Sequence, residues 1–569
     1  MERVLSRRTL LRAAGVAGLG VPLLASCTSP TAPASPASRR TDPVSVAMHL
    51  HSSFSEGTAS MAAHLAQAER LGVDVLFWTD HDFRISAQGY RRRLGLAGSQ
   101  DAEHGVRCVW QQRYEGNSAG AVTFADGAAQ LRAAGSGALW YDATAWNSTY
   151  SASLADTTLE VEVRPGVVGP DGYPALQIDL SYHPASGGRP AGQYRLTYRI
   201  GASDQIGWRA DGLQGQVDVP APAGWSTVKL HPVDDIGGLW PDLIAEDNSL
   251  HRLRVGVVGT ASPQFRQVTI ERGRRTRPLA LMRDVMSRYA DRYPDRRQYA
   301  ALEVSLVRHL NWFGGQLVMP NYGEQAPIKD DSIPAAEQMV RLIHRYGGLA
   351  SYNHPLGGTA EATAKHMVET KALGADIVEV AYAGPSTVDA MLHVLDACAR
   401  NLVLITANGV TDDHSGTDWY SDAKSNWITR LWARSDELPD LQDALRAGRA
   451  WAYKPNGWTG AMEITASGSP GMGGVAVSAD AAVPVTVTAT DLPRDGTLEV
   501  VTGKADRVAP EPAIVSTRAR GGRHSLDLPA GNYVRAVVRD ADGRIVGLGN
   551  PLWALPDATG VPAERQLRA

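Results

Sequence analysis

The chain has 569 residues, which suggests two to four domains at roughly 100–200 residues each and rules out a small stapled module. A content of 43% hydrophobic and 20% charged residues is that of a soluble globular protein, and a formal net charge of -4 offers no basic face to nucleic acid. Only Cys27, Cys108 and Cys398 are present, too few for a disulfide framework or a cysteine-based zinc site, so any metal chemistry must use His, Asp and Glu.

In chain order the first feature is an address. Ser6-Arg7-Arg8-Thr9-Leu10-Leu11, followed by an apolar segment ending in Leu24-Ala25-Ser26-Cys27, resembles a twin-arginine signal fused to a lipobox. The apolar segment runs about 13 residues, short of the ~20 that a spanning helix needs. The resemblance implies export, lipidation of Cys27, membrane contact through that lipid alone, and residence on the outer face of the cytoplasmic membrane or secretion. Residues 1–27 read as the signal and 28–43, rich in Pro, Ala and Ser, as a flexible tether.

From Val44 the pattern alternates short apolar strands with amphipathic helices: a strand from Val44 to Leu50, a helix from Met61 to Leu71, a strand from Val73 to Trp78. The rhythm breaks after Arg107 and returns near Leu279, with a helix from Leu279 to Tyr289 and a strand from Tyr299 to Leu306. Between them, two-residue alternation in segments such as Leu159 to Val163 and Leu176 to Leu180 predicts an antiparallel β-sandwich. The α/β rhythm then runs through helices at Ala335 to Tyr346, Glu361 to Leu373, Thr387 to Arg400 and Pro439 to Ala447. Its strands are Gly348 to Asn353, Asp376 to Ala381 and Leu402 to Ala407. Beyond Trp458 the pattern is again purely β. Seven or so βα units predict a barrel in two parts, 44–107 and 276–458, interrupted by a sandwich at 108–275 and closed by a second sandwich at 459–569.

Of fifteen histidines, several fall where strands end, and in a barrel those ends converge on one mouth. His49-Leu50-His51 places two imidazoles on the same side of an extended backbone. Thr79-Asp80-His81-Asp82 ends the next strand. Glu303 and His309, Asn353-His354-Pro355 and Asp412-Asp413-His414 follow at later ones. One such residue is unremarkable, but five clusters of imidazoles and carboxylates would be heavily penalised without a cation to compensate them. A metal centre is the reading they support.

These motifs resemble the polymerase and histidinol phosphatase (PHP) superfamily, whose pattern is H-x-H with a following S-D-G, then T-D-H, a lone Glu, N-H-P and D-x-H. The corresponding residues are His49-Leu50-His51, Ser55-Glu56-Gly57, Thr79-Asp80-His81, Glu303, Asn353-His354-Pro355 and Asp412-Asp413-His414. The resemblance implies a distorted (β/α)7 barrel with two or three divalent ions: one on His49, His51, Glu303 and Asp412, a second on Glu303, His309 and His354, a third on Glu56, His81 and His414. Glu56 stands where the family usually has Asp. Imidazole and carboxylate ligands suit zinc, manganese or iron. The β insertion, Leu445 to Trp451 and Gly549-Asn550-Pro551-Leu552-Trp553 resemble the carbaryl-hydrolase-like (CehA/McbA) branch.

The implied reaction is hydrolysis of a small-molecule or envelope-derived ester by a metal-activated hydroxide, with phosphoesters first and carbamates or carboxylic esters second. Asp82 is the candidate acid for the leaving group, and Asp80 a carboxylate that orients a neighbouring ligand. A third reading makes the chain a surface-anchored carbohydrate binder whose sandwiches do the work. Gly116-Asn117-Ser118-Ala119-Gly120 matches a nucleophile elbow, but polar residues precede it and it reads as a turn. His64, His344, His366 and His393 fall within helices and read as surface or packing residues. Tryptophans 140, 146, 208, 225 and 240 read as sandwich core.

Overall fold

Ser60 accepts a hydrogen bond from Ala63 N and so caps helix Met61–Leu71, whose inner face of Met61, Leu65 and Ala68 is buried; Gly72, at φ 66°, ends it in the left-handed conformation. The computed structural model describes residues 42–567, apart from 56, 86–90, 98–99, 103–105, 109, 116–118, 135–136, 144–151, 169–171, 273–277, 320–328, 418, 420–425, 506–514 and 520. The signal with Cys27, most of the tether, Glu56 and most of the elbow-like motif lie outside the described residues. Among those described, no helix is long and apolar enough to cross a membrane.

The local rhythm is realised, although the strand expected from Leu402 to Ala407 lies at Thr406–Gly409 and the helix expected from Glu361 to Leu373 ends at Glu369. Helices Pro278–Ala290, Ile333–Arg345, Ala360–Glu369, Pro385–Arg400 and Leu438–Arg446 alternate with strands Arg297–Val304, Leu349–Tyr352, Ile377–Ala381 and Thr406–Gly409. The strands are buried along most of their length, and their apolar residues, only Ala407 in Thr406–Gly409, join one core with the inner faces of these helices.

The (β/α)7 barrel is not what these elements build. The fold is mostly β, 43% strand against 20% helix, in several large sheets. The strands that carry the histidine motifs belong to a 16-stranded mixed sheet. Leu310–Phe313 runs antiparallel to both of its neighbours, Arg297–Val304 and Leu349–Tyr352, and Ile428–Leu431 runs antiparallel to Val44–Ala47. Among the described residues, Thr406–Gly409 pairs only with Ile377–Ala381, while Ala450–Tyr453 extends the sheet through Ile545–Gly549 into the C-terminal strands. The sheet therefore continues into the last part of the chain where a barrel would close on itself. Asn550 seals that junction, taking Ala407 N on its carbonyl at 2.7 Å and giving its amide to Ala407 O and Ala450 O at 2.8 Å.

The β insertion has its own core between a six-stranded and a seven-stranded sheet, with Leu159, Val161, Ile178, Leu196 and Val255 wholly buried. Strand Arg91–Gly95 joins the six-stranded sheet by pairing with Gln264–Arg272. Trp140 and Trp240 are buried, as a sandwich core requires, while Trp208 is half exposed at the sheet edge.

Candidate metal centre

The segments that carry the histidines are drawn together by backbone contacts beyond the strand ends. His51 N donates to Asp413 O at 3.0 Å, Glu303 N to Asp80 O at 3.1 Å and Asn353 N to His309 O at 3.2 Å. Parallel bridges pair Leu50 with Asp413 and His81 with Glu303. Gly57 permits the tight return of the loop after His51, since a Cβ there would stand 2.2 Å from His51 O.

Glu303 is the hub. Its Oε1 lies 2.7 Å from His309 Nδ1 and 3.6 Å from His354 Nε2; its Oε2 lies 2.7 Å from His81 Nδ1, 3.4 Å from His51 Nε2 and 3.7 Å from His49 Nε2. Asp412 Oδ1 stands 3.4 Å from His49 Nε2 and 3.2 Å from His51 Nε2, and 3.9 Å from His414 Nδ1. The His51 and His414 rings stack with centroids 4.1 Å apart, and His51 and His81 lie at 4.5 Å. All the predicted ligands that are described thus share one cluster.

Within it, three overlapping groups offer donor atoms within 4.8 Å of one another: His49, His51 and Glu303; His81, Glu303 and His309; and His51, His81 and His414. The first repeats the expected core of one site. The other two regroup the expected ligands, with His81 joining Glu303 and His309 where His354 was expected, and His51 joining His81 and His414.

The donor set fits divalent cations. His49 Nε2 and His51 Nε2 face each other at 3.1 Å, a gap that accepts one proton at most, and the buried Glu303 Oε2 faces three imidazole nitrogens at 2.7, 3.4 and 3.7 Å without a well-aligned hydrogen bond. Burial, reinforced by His414 and His81, brings the His51 pKa down to about 3, so its imidazole is a neutral donor at physiological pH. Burial opposes charge on Glu303, yet the surrounding His81, His309, His354 and His49 hold its carboxyl well below the usual range. Asp412 is lowered in the same way by His49, His51 and His414. Burial also opposes charge on His49, but Asp412 and Glu379 outweigh it and raise this imidazole well above its ordinary value. Ionised carboxylates beside the neutral His51 imidazole, with His49 drawn toward its charged form by the carboxylates around it, are a buried arrangement in which a cation can take the place of the proton.

Backbone strain gathers at the same place. Arg308, His309, His354 and Asp412 have φ of 52°, 50°, 27° and 48°, all in the positive range that residues other than glycine rarely adopt. Such strain persists where the surroundings over-determine it, and it clusters at functional sites.

A supporting layer surrounds the cluster. Glu379, wholly buried on strand Ile377–Ala381, takes His49 Nδ1 at 2.7 Å on one oxygen and His354 N at 2.7 Å on the other. Neither motif nor spacing marks it; the only signal is a carboxylate inside the apolar run Ile377-Val378-Glu379-Val380-Ala381. Ser305 Oγ contacts His81 Nδ1 in a short hydrogen bond. Asp80 accepts from Ser52 N and Ser52 Oγ at 2.7 Å and from Ser55 Oγ at 2.6 Å, which holds the loop after His51. Asp82 begins the short helix Asp82–Ile85, buried, and accepts from Ser305 N at 3.3 Å. His64 packs under the site, with Nε2 3.2 Å from His51 O and Trp419 Nε1 donating to its Nδ1 at 3.3 Å.

No protein-family model and no curated protein matches the chain. Among solved structures it is similar to a two-domain protein containing a predicted PHP-like metal-dependent phosphoesterase from Bacteroides vulgatus, at 17% identity and a TM-score of 0.23, covering 47% of this chain and 78% of that one. It is also similar to the endoglucanase Cel12A from Rhodothermus marinus, at 15% identity and a TM-score of 0.21, covering 33% of this chain and 95% of that one. A family 12 xyloglucanase from Bacillus licheniformis follows at 9% identity and a TM-score of 0.19, covering 32% and 99%. Likenesses this slight settle neither fold nor chemistry, and the metal-centre reading stands on the side chains.

Proposed function

We propose that this chain is a metal-dependent hydrolase acting on phosphoesters, exported through the twin-arginine route and anchored by a lipid at Cys27. The observation that carries the catalytic reading is Glu303, a buried carboxylate with the nitrogens of five histidines within 3.7 Å. His49, His51, His81, Glu303, His309, His354, Asp412 and His414 would hold two or three divalent ions. Such ions supply Lewis-acid activation of water and of a phosphoryl oxygen.

The chain's own residues prepare that chemistry. Glu379 fixes His49 and presents its Nε2 to the cluster, while Ser305 orients His81. Asp80 holds the His51 loop through its two serines. Asp82, next to His81 in sequence and accepting from Ser305 N, is the carboxyl we assign to the leaving group's proton, since its neighbour Asp80 is engaged by Ser52 and Ser55.

Metal content and initial rates test the reading. The chain from residue 41 onward should carry two or three transition-metal ions and cleave an aryl phosphate faster than an aryl carbamate. No bound metal after reconstitution overturns the hydrolase; a carbamate preference moves the assignment to the carbamate and carboxylic ester class. C27A should shift the full chain from the membrane to the soluble fraction, and an unchanged distribution removes the lipid anchor.

A further inference from the structure

A cavity of about 310 Å³ adjoins the cluster. His309 and His354, both within 3.6 Å of Glu303 Oε1, line it together with Arg308, Lys329, Asp331 and Tyr352. A group seated in this cavity therefore lies against the candidate metal ligands.

Arg308 is held there in a single pose. Its backbone is left-handed, its N donates to Asp331 Oδ1 at 3.2 Å, its Nε to Asp331 O at 2.5 Å and its Nη1 to Tyr352 OH at 3.1 Å. Those bonds, with Nη1 also 3.4 Å from His366 Nε2, occupy Nε and Nη1 and fix the plane of the guanidinium, which leaves the two N–H groups of Nη2 for the oxygens of a tetrahedral anion. Lys329 Nζ pairs with Asp331 Oδ2 at 3.2 Å, so the one carboxylate is spent on the lysine and the wall keeps a net positive charge from Arg308. A cation locked before any ligand arrives loses little conformational freedom on binding one.

We propose that Arg308 is a specificity-determining residue that recognises a terminal phosphoryl dianion, so that the substrates are phosphomonoesters in preference to diesters and neutral carbamates. This rests on the phosphoesterase reading above. A monoester brings two negative charges to a cation of fixed geometry, a diester brings one and a carbamate none, and the benefit falls in that order.

The test uses the full metal-loaded chain as native protein, R308M and R308K, with an aryl phosphate, a methyl aryl phosphodiester and inorganic phosphate as probes. In R308M the KM for the monoester should rise roughly tenfold to a hundredfold and that for the diester by less than about threefold, with R308K between. Calorimetric binding of inorganic phosphate should weaken in parallel while bound metal per chain stays constant. Equal changes for both esters, or none, overturn the inference and leave the phosphoesterase reading standing. A native chain that cleaves no phosphoester, yet binds phosphate in an Arg308-dependent manner, overturns the phosphoesterase reading and keeps the anion site. Should R308M melt well below the native chain, R308K and phosphate binding carry the comparison.

Discussion

Ser53 Oγ donates a 2.6 Å hydrogen bond to Asp247 Oδ1, joining the loop that leaves His51 to the inserted β-domain. Asp247 also accepts from Met61 N at 2.9 Å, Ala62 N at 3.3 Å and Tyr289 OH at 2.7 Å, so one buried carboxylate holds the loop, the start of helix Met61–Leu71 and helix Pro278–Ala290. Nearby, Ser60 N donates to Tyr182 O at 2.9 Å and Tyr182 N to Thr58 O at 2.7 Å. The insertion thereby clamps the stretch between His51 and the helix at several points, which gives it a role in shaping the centre beyond its own folding.

Asp247→Asn puts an amide where four donors converge and leaves at least one of them unsatisfied. A stability loss of about 1–3 kcal/mol follows from stranding a buried hydrogen-bonding group. Metal affinity should fall with it, roughly tenfold to a hundredfold, as for a support one step removed from the ligands. Thermal unfolding and metal titration measure the two effects; an unchanged affinity in a folded D247N would show that the clamp does not reach His51.

Removing the metal should expose the electrostatic cost of the cluster. Without cations, Glu303 and Asp412 are balanced only by imidazoles whose protonation burial opposes. Chelation should lower the unfolding temperature, and readdition of the ion should restore it in a concentration-dependent manner. Glu303→Gln should abolish most of the metal-dependent stabilisation, since every group containing Glu303 loses its charge. A melting temperature indifferent to chelator in the native chain would remove the metal from the fold's energetics.

The site was far more legible in the sequence than the sheet that carries it. His49 and His51 announce themselves because a period of two puts them on one face, and Asn353-His354-Pro355 because a short motif ends an apolar run; both signals are local. The pairing of Leu310–Phe313 antiparallel to its neighbours, and of Ala450–Tyr453 with Ile545–Gly549, is decided between segments far apart in the chain. Hydrophobic periodicity records that a segment is a strand and is silent on its partner, so a run of βα units predicts a closed barrel whether or not its edge strands meet. Glu379 escaped for a related reason. A lone carboxylate in a five-residue strand resembles ordinary alternation until His49 is found against it.

Glu379→Gln tests that support directly. The amide keeps the shape of the side chain and removes the charge that stands 2.7 Å from His49 Nδ1. His49 then loses the partner that sets its tautomer and raises its basicity as a ligand. Metal affinity should drop about tenfold to a hundredfold with a smaller change in stability than a cavity-forming variant such as Glu379→Ala. Elemental analysis across a chelator series reads the affinity, and a native-like series for E379Q would assign Glu379 a packing role alone.

A pH dependence of stability should arise away from the centre, at His344 in the last turn of helix Ile333–Arg345. Its Nε2 lies 2.8 Å from Asp376 Oδ2, and that hydrogen bond raises the imidazole above its ordinary value of 6.5. A group whose folded-state pKa is raised stabilises the fold fully below its unfolded value and loses that contribution as pH rises through the folded one. The pair should therefore contribute below pH 6.5 and fade above it. Because His344 is 40% exposed, solvent screening limits the gain to that of a surface ion pair, about 0.2–1 kcal/mol. His344→Gln should flatten this part of the stability profile, and 1 M salt should shrink it in the native chain. Denaturant unfolding of both proteins between pH 5.5 and 8 measures the difference; a larger contribution at pH 8 than at pH 5.5 would reverse the assigned sign.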